Sequence, residues 1–190
     1  MRNSIVLFST VLGALSLGSC GETKKEDSAI MPIQNDSSMG GEERAPQNLD
    51  DGAPTGNPEF ENEHLAAVYE HYLEVKSALV NTNAKEARET AEMLVETLQA
   101  SEETGNVLEA AREIAGTDNI NIQRTAFSDL SAAMEDLLAG ALVSGEIYKQ
   151  FCPMAFEGAG GYWLASSEEV RNPYYGEMML KCGRVAETIK

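Results

Sequence analysis

Apolar residues in the middle of the chain recur at alternating steps of three and four, which is the spacing of a helix with one buried stripe. A first helix is predicted to start at the Asn-Pro-Glu of 57–59, and a second at Asn83, which forms a capping box with Glu86. A shorter third helix follows, and a fourth is predicted over about 119–143. No stretch keeps the strand period of two over more than a few residues. The predicted fold class is therefore all-α, an antiparallel bundle of roughly four helices.

The composition of the sequence changes after the fourth predicted helix. The one Trp, four of the six Tyr and two of the three Cys lie between residues 148 and 183, among several glycines and prolines. Such a stretch is too interrupted for a long helix and too aromatic for a linker. We expect an irregular segment that folds over the bundle, held by buried aromatic side chains.

The N-terminus has the form of an export signal. Its apolar stretch, 5–17, is too short for the about 20 residues that span a bilayer, and it ends in Leu-Gly-Ser-Cys. This ending resembles a bacterial lipobox, in which Cys20 is lipidated after residues 1–19 are removed. The alternative is an ordinary secretory signal with an incidental cysteine. Lipidation would anchor the protein in the cell envelope, and we expect the outer membrane, facing the periplasm. The Lys-Lys-Glu-Asp run at 24–27 resembles the export signal of some surface-displayed lipoproteins, so display on the cell surface is an alternative.

Composition separates a linker from the folded part. Residues 20–56 carry three prolines, five glycines and no apolar period, so a disordered linker is predicted there, with the domain spanning 57–190. The net charge of −17 excludes nucleic acid as a direct partner, because a polyanion repels the phosphate backbone.

The candidate chemistry lies in two short segments, Cys152-Pro153-Met154 and 178–183, which contains Met179 and Cys182. Thiolate and thioether sulfur are soft ligands that favour Cu(I) over hard cations, so Cys152, Met154, Met179 and Cys182 are the predicted metal ligands. The competing interpretation is a Cys152–Cys182 disulfide, which suits an exported protein. Two unpaired thiols are a third alternative, and the methionines could simply fill a core.

The remaining candidates are weaker. His64 and His71 are seven residues apart on one predicted helix, too far apart along its axis to share an ion, and are expected to be solvated. Trp163 is expected to anchor the core. The chain has no Ser/His/Asp order and no HExxH motif, so it is predicted not to be an enzyme.

Four C-terminal elements carry a family resemblance. They are Cys-Pro-Met-Ala at 152–155, Gly-Tyr-Trp-Leu at 161–164, Asn-Pro-Tyr-Tyr-Gly at 172–176, and Met179-x-x-Cys182-Gly183. Together they resemble the signature of a domain of unknown function in exported Gram-negative proteins. That domain also occurs at the C-terminus of periplasmic adaptors of Cus-type copper/silver efflux pumps. The resemblance extends over about 58–190 and implies copper handling by association, with efflux components as partners.

The sequence therefore favours two functions. The first is a lipid-anchored envelope protein that binds a soft metal, Cu(I), in copper or silver handling or efflux. The alternative is a metal-free interaction module, stapled by a disulfide, that docks onto an envelope partner.

The lipobox predicts where the protein is found. Cys20→Ala should leave the exported chain without acyl groups and move it from the membrane fraction to the soluble fraction, because the chain has no second long apolar stretch. Fractionation with an antibody to the folded domain measures this. A variant that still sediments with membranes would contradict the lipobox.

Overall fold

A computed structural model describes residues 47–99 and 105–190, which lie in a single structural unit. Cys20, the predicted signal peptide and most of the predicted linker lie outside the described residues. The described end of that linker, 48–56, contacts the domain through hydrogen bonds and ion pairs. Folded contacts therefore begin ahead of the predicted boundary at residue 57.

Four helices make up the first half of the described fold. They are α1 (Glu63–Val80), α2 (Ala84–Leu98), α3 (Gly105–Ala115) and α4 (Ile120–Leu138). Each helix packs on the next, and α4 also contacts α1. The buried seam contains the large side chains of Leu79, Leu94, Ile114, Phe127 and Leu130. The prediction of four helices, each with a buried apolar stripe, is confirmed.

The helix starts show where the local sequence is enough to predict a helix boundary and where it is not. Asn83 caps α2 as predicted: its side chain accepts from the Glu86 N–H at 3.2 Å and donates to the Glu86 carboxylate at 2.7 Å. The predicted start of the first helix at Asn57 is wrong. Asn62 is the cap of α1 and accepts from the Leu65 N–H at 2.8 Å. Asn57 instead has a φ of +43° and turns the chain into a short strand.

The all-α prediction is wrong, because two antiparallel sheets complete the fold. Strand β1 (Glu59–Phe60) pairs with β2 (Leu142–Ser144), so α4 ends before its predicted end at 143. The C-terminal part is not irregular but a three-stranded sheet of β3 (Ile147–Cys152), β4 (Gly161–Ala165) and β5 (Arg184–Ile189). Its order is β4-β3-β5, with β3 in the centre.

Two tyrosine hydroxyls occupy hydrogen-bonding positions along β4, which is an outer strand of the sheet. The Leu164 N–H donates to the Tyr72 hydroxyl at 2.9 Å, and the same hydroxyl bonds the Ser131 side chain at 2.8 Å. The Tyr174 hydroxyl donates to the Tyr162 carbonyl. Tyr72 is fully buried in α1 and Ser131 lies in α4. The sheet is therefore joined to the bundle by buried hydrogen bonds as well as by apolar packing.

Two neighbouring tyrosines of α1 give a matched test of this junction. Tyr72→Phe should destabilise the protein by about 1–3 kcal/mol, because it leaves a buried N–H and a buried hydroxyl without their partner. Tyr69→Phe should be neutral or slightly stabilising, because the buried Tyr69 hydroxyl has no hydrogen-bond partner among the described residues. Urea unfolding of both variants measures the difference. Equal losses would show that the Tyr72 hydroxyl does not join sheet to bundle.

Candidate functional site

The two cysteines of the C-terminal part meet at one end of the three-stranded sheet. Cys152 is the last residue of β3, opposite Gly161 of β4, and Cys182 lies in the turn that precedes β5. Their Sγ atoms are 3.2 Å apart, and neither is in a disulfide. Cys152 is fully buried and Cys182 partly exposed. The structure thus brings together two predicted site residues that are 30 positions apart.

The turn that presents Cys182 is held by the side chain and the backbone of Asn172. The buried Asn172 donates from its side-chain amide to the Cys182 carbonyl at 3.0 Å, and its backbone N–H donates to the Leu180 carbonyl at 2.8 Å. Gly183 has a φ of +147°, and a Cβ there would lie 2.9 Å from the Phe151 carbonyl. Glycine therefore permits the close approach that places Cys182 beside Cys152.

Aromatic rings of the C-terminal part pack in the same hydrophobic core as the two cysteines. Trp163 is fully buried, as expected for a core anchor, and meets Tyr174 edge-on at a centroid distance of 5.7 Å. Tyr174 also contacts Phe156 edge-on at 5.0 Å. A Cβ on Gly161 would lie 2.6 Å from the Tyr174 ring, so the strand can pass the ring only with glycine there. The four sequence elements of the C-terminal part therefore converge on one place.

The two predicted methionine ligands border the pair but are more exposed. Met154 is 52% exposed and Met179 is 40% exposed. The Met154 carbonyl accepts from the Tyr175 hydroxyl at 2.6 Å, and its backbone N–H interacts with the Cys182 thiol. The Met179 carbonyl accepts from the Cys182 N–H at 2.9 Å. Backbone contacts thus hold both residues next to Cys182, with surface-exposed side chains.

The distance between the two sulfur atoms is longer than a disulfide bond and shorter than the distance between two thiolates that share a metal ion. A disulfide of about 2.05 Å would require the sulfurs to close by about 1.2 Å from 3.2 Å. Two zinc–thiolate bonds of about 2.3 Å at a tetrahedral angle would place the sulfurs about 3.8 Å apart, which requires an opening of about 0.6 Å. Both displacements are small, so the reduced pair is arranged for either outcome.

The pair also changes the acidity of its exposed member. The hydrogen bond with Cys152 raises the pKa of the Cys182 thiol above its ordinary value, and desolvation adds to the increase. The Met154 backbone N–H acts in the opposite direction. Cys182 is therefore a poorer nucleophile at neutral pH than an ordinary cysteine, because the thiolate is the reactive form.

Other candidate ligands are not gathered at this place. Within residues 47–99 and 105–190, no group of three or more His, Cys, Asp and Glu side chains is placed to hold a metal ion. His71 bonds Glu74 at 2.8 Å instead. A metal at the cysteine pair would consequently depend on sulfur ligands.

Within residues 47–99 and 105–190, no helix combines the length and apolar character needed to cross a bilayer.

Asn172 is the supporting residue whose role the sequence did not reveal. It precedes Pro173, and an Asn-Pro dipeptide predicts only a turn. Its contact with the Cys182 carbonyl joins positions ten apart through the tertiary fold.

Comparison with known proteins places part of the chain in a family context. Residues 68–144, less than half of the chain, match the family described as Protein of unknown function (DUF3347). The match confirms a resemblance to a family of unknown function for the helical part, and it ends before Cys152. No curated protein and no solved structure matches the chain. The efflux-adaptor context and the C-terminal signature remain predictions.

The raised pKa of Cys182 predicts a measurable pH profile. Alkylation of Cys182 should reach half its maximal rate at a higher pH in the folded, reduced protein than in urea, because folding favours the thiol over the thiolate. The same shift stabilises the fold below the pKa of the unfolded thiol, and this contribution is lost as pH rises through the folded pKa.

Cys152→Ala is the control, since it removes the largest cause of the shift. It should lower the midpoint of the Cys182 profile toward the value in urea. The rates are followed by mass spectrometry of the labelled peptide, with Cys20→Ser in every variant. Identical midpoints in the folded and unfolded chains would contradict the assignment.

Proposed function

We propose that this protein is a lipid-anchored, non-enzymatic protein of the cell envelope whose Cys152–Cys182 pair binds Cu(I). The observation that carries the proposal is the 3.2 Å separation of the two Sγ atoms, contributed by distant parts of the chain. The lipobox ending in Cys20 supports the anchor. The resemblance of the C-terminal elements to a domain of copper and silver efflux adaptors supports copper or silver handling, with efflux components as partners.

The ligands present favour a soft ion. The pair supplies two thiolates when reduced, and Met154 and Met179 lie on the same turns with exposed thioether side chains. Cu(I) accepts thiolate and thioether, whereas Mg²⁺ requires oxygen ligands. Zn²⁺ would receive only two thiolates of the four ligands it prefers. The site therefore selects by donor softness, and the methionines would complete a coordination sphere that the cysteines begin.

The second candidate function is the disulfide-stapled interaction module. The complete burial of Cys152 favours it, because a buried sulfur next to another sulfur is protected once a disulfide has formed. A bond there would close a loop of about 30 residues and add roughly 3–4 kcal/mol in the chain-entropy description. A disulfide offers no thiolate to a metal, so the oxidation state of the pair decides between the two functions.

Competition for Cu(I) tests the metal proposal. The reduced chain should take Cu(I) from a chelator, and Cys152→Ser or Cys182→Ser should each remove most of that affinity. Met179→Leu or Met154→Leu should cause smaller losses of about three- to tenfold, because the thioether is the weaker donor. Met93→Leu in α2 is the matched control, since Met93 is 43% exposed and lies in the helical bundle. It should leave the affinity unchanged.

Thiol counting separates the two functions. Protein isolated from the envelope without reductant should show free thiols at Cys152 and Cys182, or bound copper, if the pair is a metal site. Complete oxidation in that sample, together with no Cu(I) uptake after reduction, would contradict the metal proposal and leave the stapled module as the better explanation.

A further inference from the structure

Residues 48–56, here called the strap, lie between α1 and the loop that leads to Cys182. At the α1 end, the Leu49 N–H donates to the Asn81 side chain at 2.7 Å. Lys76, which is buried, donates to both carboxylate oxygens of Asp50 at 2.9 and 3.0 Å. A lysine held this way in α1 fixes the start of the strap to the bundle.

The other part of the strap binds the loop 166–171. The backbone N–H groups of Thr55 and Gly56 both donate to the Ser166 carbonyl, at 2.9 and 2.8 Å. The Glu168 N–H donates back to the Thr55 hydroxyl at 3.1 Å. The buried side chain of Gln150 in β3 also donates to loop carbonyls, the closest being Ser167 at 2.9 Å. The loop is therefore held by both the strap and the central strand.

Arg171 connects the strap to the cysteine turn. Its guanidinium bonds Asp51 of the strap at 3.0 Å and Glu169 at 2.6 Å, and its side chain is only 11% exposed. Both contacts lower the pKa of the partner carboxyl, chiefly through the hydrogen bond from Arg171. The next residue, Asn172, is the one whose amide holds the Cys182 carbonyl. Displacing Arg171 would thus move a residue in direct contact with the turn of the pair.

The strap and the cysteine turn also face each other across a groove. Its lining includes Leu49 and Asp51 on one side, and Leu180 and Lys181 on the other. Lys181 lies 3.7 Å from Glu169, so the same carboxylate that pairs with Arg171 also attracts the cysteine turn. The groove therefore has one apolar side chain and one charged side chain on each side, and the charges of Asp51 and Lys181 are opposite in sign.

We infer that the strap controls access to the Cys152–Cys182 pair, and that Arg171 is the positioning residue through which it acts. With the strap docked, Asn172 holds the Cys182 turn closed over the buried Cys152. When the strap is released, the turn opens more often, and reagents or Cu(I) exchange faster with the pair. The consequence for Cu(I) rests on the proposed function, whereas the control of thiol access does not.

Two exposed aspartates form a matched pair for the test. Asp51 is 70% exposed and 3.0 Å from Arg171, and Asp118 is 68% exposed and 2.9 Å from Arg88 in the helical bundle. The assay is alkylation of Cys182 by a maleimide in the reduced full chain, with Cys20→Ser so that only the pair carries thiols. Asp51→Asn should raise the Cys182 rate about two- to fivefold, the factor expected for one exposed ion pair, and Asp118→Asn should leave it unchanged.

Ionic strength supplies a readout that loss of packing would not move. In the chain without a strap substitution, 1 M NaCl should raise the Cys182 rate toward that of Asp51→Asn, because salt screens an exposed ion pair. Asp51→Asn should respond much less. Asp50→Asn, which releases the strap at its α1 end, should raise the rate in the same direction. The inference is contradicted if the Cys182 alkylation rates of Asp51→Asn and Asp50→Asn are both equal to that of Asp118→Asn.

The failure of this inference is distinguishable from that of the proposed function. If Asp51→Asn accelerates alkylation but no variant binds Cu(I), the strap stands and the metal proposal fails. If the chain binds Cu(I) with a dissociation rate that is equal in Asp51→Asn and Asp118→Asn, and alkylation is equal too, the metal proposal stands and the strap fails.

Discussion

The buried hydroxyl of Tyr72 joins the two halves of the protein, because it bonds Ser131 in the bundle and the Leu164 N–H in the sheet. Tyr72 also stacks on Phe127 at 5.2 Å, so the ring fixes the position from which the hydroxyl acts. An outer strand with unpaired backbone groups is otherwise a place where sheets add further strands. Once β4 is fixed to the bundle, β3 follows by pairing, and with β3 the position of Cys152 is determined.

The helices could be predicted because their information is local. The capping box of Asn83 and the apolar seams need only neighbouring residues, and both are as expected. The sheet could not, because β3 carries polar residues that tertiary partners satisfy. Gln150 is fully buried against loop carbonyls, and Lys149 pairs with Glu135 of α4 at 2.7 Å. Such a strand loses the alternation of apolar and polar positions by which strands are predicted. The helix start predicted at Asn57 is wrong for a related reason, since the pairing of β1 with β2 overrides a local helix-start pattern.

The sequence predicted which two cysteines the candidate site contains, but not what holds them together; the binding of a metal there stays a prediction. Two cysteines and nearby methionines are enough to indicate a sulfur site, and the structure places Cys152 and Cys182 side by side. Which residues hold them there depends on contacts between distant turns. Neither the amide of Asn172 nor the close approach at Gly183 has a local pattern, so both become visible only in the folded chain. The exposure of Met154 and Met179 likewise depends on how the folded chain packs around them.

The strand order β4-β3-β5 has a consequence for how the site forms in time. Contacts within the bundle are mostly local and assemble quickly, whereas Phe151 pairs with Arg184 across 33 positions and Ser144 bonds Glu59 across 85. Cys182 reaches Cys152 only when β5 has joined the central strand. A chain that has formed its helices alone therefore carries two separate thiols and no site. We therefore expect the pair to form late in folding, so that the chemistry of its thiols would report that β5 is in place.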